Sequence, residues 1–480
     1  MTSNTSPKPS ASTGTRQSTS LQQPAKHAAP AFTQGSTLRH ILVMTAAGTA
    51  GLLTLFLVDL VDIFFLSLLG QEELAAAIGY AGTLLFFMTA TGIGLQIAVS
   101  VAISRSEGSS SNAANSARSR LMVERYFSNG LIYTAICASL IALPFIMFSE
   151  HMLIALGAKG NTLVQAQNYV SIILPSTPLL AVAMSATAVL RALGNPKAAM
   201  YAIMSAGLVN AVLDPLFIFN FGLEVEGAAI ASVISRVVML ILPLRSLYQQ
   251  HQLKFRIDRQ HLAEDARTLN HVAVPAMLTN LATPISSTIV MKFMAAFGDS
   301  AVAGVAIVGR LAPVAFAALF ALSGSVGAIV GQNAGAKRYD RVKDTLHNAL
   351  AASTVYVLFA WVVLFLSTEF IVNAFEASGQ SAALIRLYTH YLVIGFAFNG
   401  MLFIANASFN NLQVPHYATL FNFARSFLGT MPLVFIFSRL YGPEGVMIGE
   451  TLGAVLFGLL AYGVAIRVIN RVANACSAAD

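Results

Sequence analysis

The chain has 480 residues, 56% of them apolar and only 10% charged, with a formal net charge of +7. A soluble domain of this size would carry about a quarter charged residues, so a water-solvated globule is excluded and most of the surface must face hydrocarbon. The basic residues lie in short loops between apolar runs, where topology signals sit. This is not a nucleic-acid patch, and two cysteines, Cys137 and Cys476, are too few for a disulfide framework.

Residues 1–36 are rich in Ser, Thr, Pro and Gln, cannot bury enough apolar surface to fold, and are expected to form a disordered cytoplasmic tail. No cleavable leader is visible, so the first apolar helix is expected to act as an uncleaved insertion signal. A bilayer-spanning helix needs roughly twenty apolar residues. Runs of that kind predict twelve helices, near 40–68, 74–103, 125–148, 163–190, 198–221, 227–249, 270–297, 301–331, 346–367, 383–411, 416–438 and 443–468. Polar punctuation such as Gly194-Asn195-Pro196-Lys197 separates them. The expected fold is an all-α membrane protein whose twelve transmembrane helices form two pseudo-symmetric six-helix lobes. The lobes are expected at 37–250 and 270–470, with a cytoplasmic linker at 251–269 and a cytoplasmic tail at 471–480.

One set of loops carries Arg105, Arg118, Arg120, Arg125, Arg191, Lys197, Arg245, Lys254, Arg256, Arg259, Arg267, Lys337, Arg338, Arg341 and Lys343. The alternate loops hold only Lys159, Arg386 and Arg439, beside several glutamates. The asymmetry predicts a bacterial inner-membrane protein with both termini cytoplasmic. The halves also resemble each other. Leu69-Gly70-Gln71-Glu72-Glu73-Leu74 aligns with Phe297-Gly298-Asp299-Ser300-Ala301-Val302, and Glu226-Gly227-Ala228-Ala229-Ile230 with Glu444-Gly445-Val446-Met447-Ile448. Both repeats start on the cytoplasmic side, so they are parallel, and such a design places a substrate path between the halves for alternating access.

An ionisable group at the centre of a membrane helix costs at least about 2.5–3.5 kcal/mol and is usually functional. Asp59, Asp62 and Asp214 are the clear candidates, with Glu450, Arg310 and Arg425 beside them. Lys292 lies near a helix end, where its stem can snorkel to the interface. Asp62 precedes Gly70 by eight residues and Asp214 precedes Gly222 by eight, which places both roughly 12 Å below the outer surface. Asp59 and Asn210 each lie one turn below these aspartates, and Ser232 reaches a comparable level. Desolvation disfavours a buried carboxylate's charge, so such a group can load and release a proton near neutral pH. The alternative is an aspartate that caps or bonds a neighbouring helix. Phe64, Phe86, Met88, Phe316, Phe320 and Met401 could line an adaptable apolar cavity, although helical Phe and Met more often pack in cores or face lipid.

Several motifs point to a family. Val61-Asp62-Ile63-Phe64, Leu74-Ala75-Ala76, Leu190-Arg191-Ala192-Leu193-Gly194-Asn195-Pro196-Lys197, Asn210-Ala211-Val212-Leu213-Asp214-Pro215, Glu226-Gly227-Ala228-Ala229-Ile230-Ala231-Ser232 and Gly331-Gln332-Asn333-Ala334-Gly335-Ala336 occur in order. Together they resemble the multidrug and toxic compound extrusion (MATE) transporters over about 40–470. The resemblance implies two six-helix lobes and export of drug-like molecules, often cationic and amphipathic, against H⁺ or Na⁺. It also implies a coupling network of Asp62, Asp214, Asn210, Ser232, Tyr169 and Thr187, the last standing where the family often has Asn. Thr283 and Asn399 take the places of acids used for Na⁺ in a NorM-like branch, so the pattern is closer to the DinF-like branch and to proton coupling. Glu450, Arg310 and Arg425 are secondary candidates: Glu450 as a second titrating site or partner of Arg425, the arginines as shapers of the cavity.

The leading expectation is therefore a secondary active multidrug efflux antiporter, monomeric in the lipid bilayer, exchanging small molecules for H⁺ or, less favoured, Na⁺. No cofactor, metal ligand set, nucleic-acid partner or enzymatic nucleophile is expected. The competing readings are a lipid-linked precursor flippase of the same superfamily, which needs several basic cavity residues, and a non-transporting sensor or assembly factor, which leaves the duplication unexplained.

Overall fold

The computed structural model describes residues 1–2, 30–67, 72–111 and 116–478, and no strand occurs among them. Sixteen α-helical segments follow one another: α1 (Thr37–Ser67), α2 (Glu72–Gly108), α3 (Ser116–Leu156), α4 (Gly160–Ile173), α5 (Thr177–Ala192), α6 (Pro196–Pro215), α7 (Glu224–Gln249), α8 (Leu262–Ala295), α9 (Asp299–Ala315), α10 (Ala317–Gly335), α11 (Tyr339–Leu366), α12 (Thr368–Ala374), α13 (Gly379–His390), α14 (Phe396–Asn411), α15 (His416–Ala424) and α16 (Met431–Ser477).

Eleven stretches among the described residues are long and apolar enough to cross a membrane. The longest, His416–Ser477, is two crossings, because Gly442 at φ 61° and ψ −140° turns the chain just before Pro443. Twelve crossings result. Several are interrupted by proline. A single 3-10 turn, Leu174–Ser176, joins α4 to α5. Pro178 brings no N–H to the carbonyl of Leu174, and the hydroxyl of Thr177 donates to it at 2.7 Å instead. The predicted eighth helix breaks at Phe316, three residues after Pro313, where the backbone leaves helical geometry at φ −116° and ψ 20°.

The duplication is visible in the backbone even where the residues differ. The turn before α4 places Gly157 at positive φ and closes with Ala158 N–H on the Leu153 carbonyl; the turn before α13 does the same with Glu376 and with Ala377 on Val372. The turn before α6 uses Gly194, with Asn195 N–H on Leu190, and the turn before α15 uses Gln413, with Val414 N–H on Phe409. All four positions keep one offset between the halves. These are left-handed helix caps, for which glycine is favoured, so the second half holds the same turns at a greater backbone cost.

The lobes meet along α1 and α2 from the first half and α8, α10 and α11 from the second. Every inter-lobe hydrogen bond among the described residues lies in the half of the bundle nearer the termini. Ser104 Oγ donates to Asn411 Oδ1 and Gln332 Nε2 to the Ala192 carbonyl at 2.8 Å. Two glycines permit this approach. A Cβ on Gly108 would collide with the Gln332 carbonyl, and one on Gly335 with the Arg105 carbonyl.

Two non-helical segments reinforce that end. The residues from 30 to 36, which composition assigns to a disordered tail, are packed: Phe32 is 3% exposed and belongs to the apolar core of the second lobe. Phe32 N–H donates to Gln332 Oε1 at 2.8 Å, and its carbonyl accepts from Arg341 Nη2 and Asn333 Nδ2. A chain segment preceding the first lobe is thus fastened to the second. The inter-lobe linker does the reverse. Arg256 N–H donates to Ser128 Oγ, Asp258 N–H to Asn129 Oδ1, and Arg120 Nη2 to the His251 carbonyl, all on α3 of the first lobe. Buried Asp265 at the start of α8 accepts a two-pronged ion pair from Arg125 and a third bond from Asn129.

Candidate functional site

The first-lobe candidate grows from α6. Pro196 opens that helix behind Asn195, whose side chain accepts from Ala198 N–H, a capping bond. Pro215 then forces the next turn into a five-residue π segment, Leu216–Asn220, the kind of local widening that accompanies functional sites. Asp214 sits at that transition with none of its surface exposed, and Asn210, one turn earlier, donates from Nδ2 to Asp214 Oδ1 at 2.9 Å. Ser232, 9% exposed, lies on α7, which packs against α6. Tyr169 on α4 is buried as well. Thr187 is buried, but its hydroxyl donates to the Met184 carbonyl of its own helix at 2.8 Å. Asn210 and Asp214 are therefore brought into direct contact, while Thr187 is turned to its own backbone. Asp59 and Asp62 fall on α1, and their side chains, like that of Phe64, lie outside the described residues.

The structure adds a cation to this lobe. Arg236, one turn after Ser232 on α7, donates from Nη1 to the Ile173 carbonyl at 3.1 Å and to Ser176 Oγ at 2.6 Å. It satisfies polar groups at the 3-10 break between α4 and α5. The rule that singles out Arg425, a charge inside an apolar run, would have singled out Arg236 too.

The second lobe holds a different constellation. Beyond α15 the chain enters another π segment, Arg425–Thr430, and the Arg425 Nη1 donates to Asn399 Oδ1 on α14 at 2.7 Å. Glu450 on α16 lies within electrostatic range of Arg425 and of Tyr388 on α13. Glu450 has an exposed side chain although protein surrounds it densely. A carboxylate in a membrane helix faces water or protein rather than lipid, so we assign Glu450 to the wall of a cleft between the lobes. Arg310 on α9 is also exposed.

Of the aromatic and Met candidates, Met88 and Phe316 are core residues: Met88 is 7% exposed, and Phe316 is wholly buried and stacks on Phe396 with ring centroids 3.9 Å apart. Phe86 and Phe320 are exposed and Met401 is half-buried. A groove of about 380 Å³ between α1 and α6 is apolar, lined by Leu57, Val58, Tyr201, Met204 and Leu208. No group of His, Cys, Asp or Glu able to hold a metal ion occurs among the described residues.

Comparisons with known proteins agree with this architecture. The MatE family profile matches residues 49–216 and 275–436, which are the two halves of the repeat. A FAD transporter of Shewanella oneidensis is 29% identical over 443 residues, covering 90% of this chain and 95% of its own. The multidrug export protein MepA of Staphylococcus haemolyticus is 23% identical over 91% of this chain and 96% of its own. Among solved structures, the Vibrio cholerae MATE transporter VcmN in its bent form superposes with a TM-score of 0.84 at 24% identity, covering 91% of this chain and 98% of that one.

Proposed function

The chain belongs to the MatE family of membrane transporters, and from that premise we propose that it is a secondary antiporter exporting small amphipathic molecules in exchange for protons that load on Asp214 and Asp62. It is a transporter and not an enzyme. The observation that carries the coupling is Asp214: a fully buried carboxylate in a membrane helix, held by Asn210 at 2.9 Å beside a π segment. An ionised carboxylate in that setting carries a desolvation penalty of several kcal/mol. Taking up a proton removes the penalty and losing it restores the penalty, so proton occupancy shifts the balance between two arrangements of the first lobe. The π segment and Pro215 supply a helix whose hydrogen bonding is already interrupted and can adjust at low cost.

Positive loops mark the end that carries the termini as cytoplasmic. The lobes are zipped together at that end, so the arrangement described is closed to the cytoplasm, with the wall bearing Glu450 accessible from outside. In the proposed cycle, external water protonates Asp214 or Asp62, substrate leaves outward, the lobes reclose, and internal water removes the proton. Relatives named for multidrug export and for FAD transport support small-molecule substrates; in the proposed reading these are amphipathic and often cationic, and the chain works as a monomer. Proteoliposomes with separately imposed H⁺ and Na⁺ gradients test the coupling. Ethidium movement driven by a pH gradient and indifferent to Na⁺ is the expected result, and movement driven by Na⁺ alone overturns it.

A further inference from the structure

The membrane helices of the two lobes do not carry the same chemistry. Away from the helix ends, the first lobe has Asp59, Asp62 and Asp214 with one guanidinium, Arg236. The second has Arg310 and Arg425 with one carboxylate, Glu450. Arg236 is occupied with backbone and hydroxyl oxygens of its own lobe. Arg425 is placed differently. Its one hydrogen-bond acceptor is the neutral amide oxygen of Asn399, and its Nε is buried without a hydrogen-bond partner among the described residues. None of the ion pairs among the described residues involves it. Tyr388, 9% exposed, likewise buries its hydroxyl without a hydrogen-bond partner among the described residues.

A buried donor left unsatisfied costs about 1–3 kcal/mol, more when charged, and the two such donors, both within electrostatic range of Glu450, mark a region that an acceptor completes. A guanidinium presents a planar fork of donors matched to phosphoryl or carboxylate oxygens. Glu450 is close enough to act on both Arg425 and Tyr388. It is accessible in the cleft and not locked to Arg425 in an ion pair.

We propose that this second-lobe wall receives an anionic group, phosphoryl or carboxylate, carried by the exported molecule, with Arg425 as its main partner and Tyr388 and Asn399 as accessory donors. The inference rests on the export reading above and names a substrate class for the same cleft: amphiphiles whose apolar body occupies the cleft while an acidic group meets Arg425. Glu450 is the resident charge that an incoming anion must outcompete. It thereby favours substrates with a strong, multiply oxygenated anion over weak ones. A purely cationic substrate finds on this wall only a carboxylate already compensated by a nearby arginine.

The test uses two flavins that differ in one phosphoryl group, riboflavin and riboflavin 5′-phosphate, titrated by fluorescence against the purified full chain at low ionic strength. A charge-assisted contact is expected to make the phosphate form bind roughly tenfold more tightly. Arg425→Gln is expected to bring the ratio to about one, and Arg425→Lys to retain part of it. Glu450→Gln is expected to raise the ratio above that of the unmodified chain, a gain that misfolding cannot produce. No preference for the phosphate form in the unmodified chain, or an unchanged preference in Arg425→Gln, overturns the proposal. Inorganic phosphate is expected to displace the phosphate form only at much higher concentration. Equal potency would mean that the site takes free phosphate, and would overturn the assignment to a substrate. Ethidium export by the unmodified chain in proteoliposomes is read in parallel. Export without a phosphate preference sinks this inference alone, whereas loss of proton-driven export sinks the reading on which it rests.

Discussion

The two lobes share a backbone plan but not a chemistry. Both interrupt their fourth crossing with a 3-10 turn and their fifth with a π segment, and both tie the start of the sixth to a neighbour through a glutamate. In the first lobe Asn168 donates to Glu226, and in the second Gln380 donates to Glu444. At the π segments the lobes part. The first places a buried carboxylate, Asp214, just before its π segment, and the second opens its π segment with a guanidinium, Arg425, about two turns earlier in the repeat. Duplication thus supplies two helices that each carry a π segment, and on the proposed reading the charged residue beside each gives it a different partner. An acid responds to protons. A guanidinium holds its proton at any physiological pH and responds to anions.

The most direct way to break the comparison is to remove the acid. Asp214→Asn keeps the shape of the side chain and is expected to abolish proton-driven export, with the folded protein recovered in normal yield. Glu450→Gln is expected to leave proton coupling in place and to alter substrate preference instead. Proton-coupled exchange measured in proteoliposomes decides this. Normal coupling in Asp214→Asn would show that the two lobes are not specialised in the way described.

A second effect concerns the seal that both lobes share. Gly335→Val places a side chain where the Arg105 carbonyl lies, and a backbone atom cannot step aside as a flexible side chain can. Overpacking of this kind costs about 1–3 kcal/mol. The cost falls only on the arrangement closed at the terminal end, so substrate release to the outside is expected to slow while binding from the cytoplasmic side persists. Labelling of a single cysteine introduced beside Gly335, compared with and without the substitution, reports the shift as greater access from the cytoplasmic side.

The two arginines allow a sharper comparison. Arg236 holds a carbonyl and a hydroxyl at the helix break between α4 and α5, so Arg236→Gln is expected to lower stability by about 1.5–3 kcal/mol, the range for hydrogen bonds to charged groups. Arg425→Gln removes one bond to a neutral amide and is expected to lower it less, with its main effect on anion preference. Thermal unfolding of both variants in the same detergent separates the cases. A larger loss for Arg425→Gln would make it the structural arginine and Arg236 the free agent.

Much of this was legible in the sequence because membrane proteins obey coarse rules. Hydropathy located the twelve crossings, and charges inside apolar runs drew attention to Asp214, Arg425 and Glu450. Other features were not legible. Asn399 appeared only as the residue lacking an acid, since nothing in one sequence says that its oxygen accepts from a side chain on another helix. Thr187 looked like a network member, but a hydroxyl in a helix readily turns to its own carbonyls. The segment around Phe32 followed a polar tail and shared its composition. Its order comes from Gln332, Asn333 and Arg341, some 300 residues away in sequence. Phe316 stood among residues that could line a cavity, with a core or lipid-facing place the commoner outcome, because a helical aromatic carries no sign of the face it takes; it lies in the core.

The smallest expected effect lies in the linker, which belongs by its bonds to the first lobe. Asp258 is hydrogen-bonded to the His261 ring at 2.8 Å, and that bond holds its carboxyl below the usual carboxylate range. A carboxyl whose value is lowered on folding stabilises the fold above its unfolded value of about 3.9, and the contribution is lost as pH falls through the folded value. The side chain is 35% exposed, so the effect is small and screened by salt. Asp258→Asn is expected to leave Tm slightly lower at pH 7 and to remove part of the fall in Tm between pH 5 and pH 3 at low ionic strength. An unchanged acid limb in that variant would mean that the linker is held by its backbone bonds to Ser128, Asn129 and Arg120 without help from the Asp258 charge. The first lobe would then grip the linker much as the second grips the segment around Phe32, with a charged side chain on backbone carbonyls, Arg120 in the one case and Arg338 and Arg341 in the other.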